Sequence, residues 1–113
     1  MKKTILIISI LISGYAYSQD FKNDISVVQF SASFVKSAEM PLKPFNDYNI
    51  HSFYIEKNGD IFKNERIKYL PTIILYHNGD EVIRIESGLD LKLPENCDKE
   101  INRHIEELLK DKF

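Results

Sequence analysis

The segment Ile67–Glu86, IKYLPTIILYHNGDEVIRIE, decides how this chain folds. It reads as two apolar strands, Thr72–Tyr76 and Glu81–Glu86, with Asn78-Gly79 between them. An Asn-Gly pair is the strongest short hairpin signal, because a type I′ turn needs φ > 0 at both central residues. Pro71 stands immediately before the first strand. It has no N–H to give a ladder, so a strand's start suits it. An X-Pro bond is also the one place where a cis peptide costs little. In the second strand Ile83 and Ile85 share one face while Arg84 and Glu86 share the other, the alternation of a half-buried strand.

Upstream, Ile25–Phe30 (ISVVQF) is apolar on both faces, which suits a central strand of a parallel sheet. Ser33 and Ser37 are both candidates for a helix N-cap. They point to a helix over Ala38–Tyr48 with Met40, Phe45 and Tyr48 inward. Pro41 and Pro44 make that helix bent or late-starting, since a proline beyond the first turn removes a hydrogen bond. Ile50–Ile55 reads as a second strand. Asn58-Gly59 is a turn or helix-entry signal, and Asp60–Arg66, anchored by Ile61 and Phe62, gives at most two helical turns. Gly88–Asn96, with Pro94, is a loop. Asp98–Lys110 carries Ile101, Ile105, Leu108 and Leu109 at i, i+4, i+7 and i+8, an amphipathic helix. The first two strands are joined by a crossover and should be parallel; the last two are antiparallel. The expected fold is a three-layer α/β/α domain around a mixed, roughly four-stranded sheet.

The chain has 113 residues and is 43% hydrophobic, enough for one modest domain. Residues 1–18 read as a cleavable signal peptide: Lys2 and Lys3, an apolar run from Ile5 to Ile12, and small residues at Ala16 and Ser18. The run is short for a membrane span. Cleavage near Ser18-Gln19 leaves 19–113 as a single periplasmic or secreted domain with no stable membrane span. It also takes the 15 basic residues to 13 against 17 acidic, a net of −4 instead of −2. With no basic stripe, nucleic acid is not an expected partner. One cysteine, Cys97, excludes an intrachain disulfide and a cysteine-based metal site. His51, His77 and His104 have no ligand-type spacing, and neither metal nor cofactor is expected.

The element order, with proline before the third strand, resembles the thioredoxin-like fold. The run Val27-Val28-Gln29-Phe30-Ser31-Ala32-Ser33-Phe34-Val35-Lys36-Ser37-Ala38-Glu39-Met40 is similar to the thioredoxin run V-V-D-F-W-A-E-W-C-G-P-C-K-M. Pro44 falls on the family's helix-kinking proline, Pro71-Thr72 on its cis-Pro-Thr pair and Asn78-Gly79 on its hairpin turn. The resemblance covers about Ile25 to Leu109, so the family's first strand and helix are not expected. Glu39-Met40-Pro41 is also similar to the exported, thiol-disulfide branch of the family. Thioredoxins work through two cysteines at the start of the first helix, where a thiolate attacks a substrate disulfide. At those positions stand Val35 and Ala38, Gln29 replaces the buried acid, and Ser31 and Phe34 replace the flanking tryptophans. The parts for dithiol chemistry are missing together while those for the fold remain.

The resemblance implies a remaining face at Leu70-Pro71, where the residue before the proline offers its backbone to an extended peptide. Phe34, Val35, Lys36 and Gly88 would border it. The expected function is a non-catalytic, exported module that binds an extended peptide or another exported protein. The rival is a thiol-disulfide protein acting through Cys97, alone or with a partner's thiol; by resemblance Cys97 lies away from the family's site. Ser33 and Ser37 lack a base at motif spacing and make no serine nucleophile.

Overall fold

The computed structural model describes residues 20–111, and the leader read at 1–18 lies outside them. Strand β1 (Ile25–Ser31) is buried along its whole length. The cause is its place in the sheet, whose order is β2-β1-β3-β4. β1 runs parallel to β2 (Asn49–Tyr54) and antiparallel to β3 (Thr72–His77). β3 and β4 (Asp80–Glu86) form the hairpin, with a register shift at Leu75/Tyr76. The turn is as the dipeptide requires: Asn78 and Gly79 have φ of 51° and 94°.

Side chains alternate across each strand, so the sheet feeds two cores. On one face Ile25, Val27, Ile73 and Leu75 meet Leu42 and Phe45 from the crossover and Cys97, Ile101 and Ile105 from helix α2 (Cys97–Asp111). On the other, Val28, Phe30, Ile74 and Tyr76 meet Phe21 and Phe62. Phe62 comes from helix α1 (Ile55–Asn64) and stands edge-on to Phe30, with ring centroids 5.3 Å apart. Helices therefore cover both faces, as the sequence implies. Before β1 the described residues hold only a short 3-10 turn, Asp20–Lys22.

Two elements differ from the sequence reading. The crossover after β1 contains no α-helix over Ala38–Tyr48. It has 3-10 turns at Ser33–Ala38 and Lys43–Phe45 instead. Gln29 gives the reason. Its buried amide accepts from the Met40 N–H at 2.8 Å and donates to the Met40 carbonyl at 2.9 Å. Those two backbone groups are then lost to a helical ladder, and Pro41 follows at once with no N–H of its own. Nor do the serines cap. Ala32 occupies the cap position with no side-chain bond, and Ser33 gives both its N–H and its hydroxyl to Glu56, at 2.9 and 2.7 Å. The second difference is α1, which starts at Ile55, directly after β2; Asn58-Gly59 marks a kink within it, where a second helical stretch begins, and not a turn.

Candidate functional site

The register brings three loops to one end of the sheet. Phe30 near the end of β1 lies opposite Thr72 at the start of β3, and Thr72 lies opposite Glu86 at the end of β4. The loops that leave β1, enter β3 and leave β4 therefore meet there. They carry Phe34-Val35-Lys36, Leu70-Pro71 and Gly88, so the structure gathers the residues the sequence singled out.

The Leu70-Pro71 peptide is cis. Pro71 is buried and its carbonyl accepts the Ser87 N–H at 3.2 Å, which ties the end of β4 to the proline. Leu70 is half-buried against the Phe30 core. Among the described residues, neither its N–H nor its carbonyl has a hydrogen-bond partner. Phe34 is 72% exposed, and Tyr69, which the sequence reading passed over, is 39% exposed. Lys36 and Gly88 are exposed as well. Val35 differs: at 3% exposure it is a buried support, not a contact residue. A short 3-10 turn, closed by the Val35 N–H on the Ala32 carbonyl at 3.1 Å, points it inward and Phe34 outward.

Polar bonds hold the loop after β1 in place. The buried Ser31 hydroxyl donates to Glu39 at 2.9 Å. The Ser33 bonds keep the Glu56 carboxyl below the usual carboxylate range, and a hydrogen bond with Glu39 pushes the Tyr54 phenol up. Gln29, at a position the resemblance assigns to an acid, is occupied with the Met40 backbone. Its amide is a clamp and holds no proton for transfer.

Cys97 opens α2 and is buried. It lines a cavity of about 530 Å³ together with Ala38, Met40, Pro41 and Leu93. The sequence reading set Cys97 apart from Val35 and Ala38, where the resembling family has its cysteines; the structure puts it on the same cavity wall as Ala38. Burial first, and then the Asp98 charge, push its thiol up to about 11. A nucleophilic thiol needs the opposite shift. Among the described residues no three His, Cys, Asp or Glu side chains group as metal ligands, and no helix is long and apolar enough to cross a membrane.

No protein-family model matches the chain, and no curated protein does. Solved structures do. The thioredoxin of Trypanosoma brucei brucei superposes with a TM-score of 0.61 at 16% identity, over 88% of this chain and 86% of that one. A thioredoxin from Nicotiana alata gives 0.58 at 18% identity, over 85% of each chain. A structure bearing on the thiol resolving mechanism of yeast mitochondrial 1-Cys peroxiredoxin gives 0.58 at 20%, over 74% of this chain and 81% of that one. At such identities the likeness concerns the backbone, and it establishes one thing: this chain, with a single cysteine, has a thioredoxin-like α/β fold built on a four-stranded mixed sheet.

Proposed function

We propose that this protein is an exported, non-catalytic module that holds an extended protein segment against Leu70-Pro71. One observation carries the reading: the Leu70 N–H and carbonyl have no partner among the described residues, next to the exposed Tyr69 and at the end of the sheet that also carries the exposed Phe34. A backbone edge flanked by apolar side chains is what strand addition uses; the edge supplies hydrogen bonds and the side chains supply specificity. Export rests on Lys2, Lys3, the Ile5–Ile12 run and the small residues at Ala16 and Ser18.

The test is capture of exported proteins by the immobilised protein, against a Phe34→Asp, Leu70→Asp variant shown by circular dichroism to fold. Phe34 replaces the buried Val35 as the position to alter, because a charge at Val35 would disturb the core. A partner held by the original and lost by the variant is the expected result. Equal capture by both would move the site elsewhere. Against the rival thiol chemistry stands the raised Cys97 thiol, protonated at neutral pH. The protein is expected to show no insulin-reducing turnover; turnover that disappears in Cys97→Ser would establish the enzyme instead.

A further inference from the structure

Beside Tyr69 lies a second concavity, of about 440 Å³, lined by Arg66, Lys68, Tyr69, Arg84 and Glu86. Three cations and one carboxylate on its wall contrast with a chain whose net charge is −2. The carboxylates nearest in sequence are committed elsewhere. Glu65 adjoins Arg66 but is bound by the Tyr76 hydroxyl at 2.7 Å and by Lys22 at 2.8 Å. Glu81 is paired with Arg84 at 2.8 Å. Arg66 and Lys68 have no ion pair among the described residues.

The wall is also rigid. Arg84 donates to the carbonyls of Glu65 and Arg66 at 2.8 and 3.0 Å. The Arg66 N–H reaches the Lys63 carbonyl at 3.2 Å, and the Ile67 N–H reaches that of Phe62 at 2.9 Å. The segment that carries the two unpaired cations is thereby fixed before anything binds, which lowers the ordering cost of recognition. Arg84 builds the wall; Arg66 and Lys68 supply the unneutralised charge.

We infer that the segment held at Leu70-Pro71 is acidic beside its apolar stretch, with its carboxylates seated against Arg66 and Lys68. This rests on the Leu70 face being a peptide site. A carboxylate pairs with such cations by charge-assisted hydrogen bonds, and Tyr69 joins the two places, lining the concavity from the position next to Leu70. A long polyanion is a poorer fit, because Glu86 faces the same space and only two cations are uncommitted.

The experiment uses fluorescein-labelled peptides that share one Val-Thr-Val-Thr-Val centre and differ in their flanks: aspartates, serines or lysines. Binding to the full-length protein is read by anisotropy. The aspartate peptide is expected to bind tightest and to weaken as NaCl is raised. Arg66→Glu with Lys68→Glu should cost it roughly tenfold in affinity and leave the serine peptide unchanged. Leu70→Asp should weaken all of them. Equal binding of aspartate and serine peptides, untouched by the charge reversal, would overturn the acidic segment while leaving the Leu70 face standing. Aspartate-peptide binding that survives Leu70→Asp but not the charge reversal would separate the two places and overturn the Leu70 face. No binding by any of the peptides, or preference for a labelled oligouridine, would overturn both.

Discussion

Gln29 shows what a single side chain can decide. β1 also buries the Ser26 and Ser31 hydroxyls, but Gln29 brings a whole amide into the sheet, with a donor and an acceptor that must both find partners. It finds both on Met40, eleven positions along the chain, and so ends the helix that the intervening sequence would otherwise begin. Gln29→Leu is expected to orphan two backbone groups and to lower stability by about 2–3 kcal/mol in urea titration. The sequence showed Gln29 as a departure from the acid of the resembling family. It did not show the clamp, because the partner is a backbone and not a residue type. Val35 was legible in position but not in exposure: which way a side chain points inside a 3-10 turn depends on where that turn starts.

Two Asn-Gly pairs show how far an element can be read from its letters. At Asn78-Gly79 an apolar run precedes the pair and an alternating one follows, and the pair makes the hairpin turn; its amides also bond the carbonyls of Asp24 and Lys22, both at 2.9 Å. At Asn58-Gly59 the following Ile61 and Phe62 sit against the second core, and helix resumes immediately after a kink at Asn58. Of the two readings of that pair, the turn gives way to the helix entry, because packing of the next turn holds the chain helical. The two glycines should therefore respond oppositely to alanine. Neither has an atom within 4 Å of an added Cβ, so only backbone conformation differs. Gly79→Ala, at φ +94°, should destabilise by about 1 kcal/mol. Gly59→Ala should stabilise by about 0.5–1 kcal/mol, since alanine is the better helix residue and restricts the unfolded chain. Thermal melts of both variants check the sign.

For the molecule as a whole, the parallel first pair of strands, the hairpin and the helices on both faces were readable from hydrophobic period and turn residues; the β1–β3 pairing that sets the strand order comes from the structure. The basic concavity was not readable, because Arg66, Lys68, Arg84 and Glu86 come from two elements and only the fold joins them. Stability should plateau between about pH 7 and about pH 9. On the acid side, burial lowers the His51 value below 6.5. Its neutral form is favoured in the fold, so this stabilisation is present above 6.5 and is lost as pH falls through the folded value. On the alkaline side, Cys97 rises from 9.0 to about 11, and Tyr76 is raised by burial and by Glu65. Both are favoured neutral, so their contribution is complete at lower pH and is lost as pH climbs. Urea midpoints across the range should trace this shape, and Cys97→Ala should flatten the start of the alkaline limb.

Because the lone thiol is shut in at the first residue of α2, it can also serve as a clock. A thiol reagent in native buffer can label Cys97 only during the intervals when the start of that helix lifts away. If the labelling rate barely changes with small additions of urea, the opening is a local fraying; if it climbs with the slope of full unfolding, the helix and the sheet open together. A position at the end of its helix favours the first behaviour. With one sulfhydryl in the sequence, the signal comes from a single site, and the opening of this corner can be timed without introducing a probe.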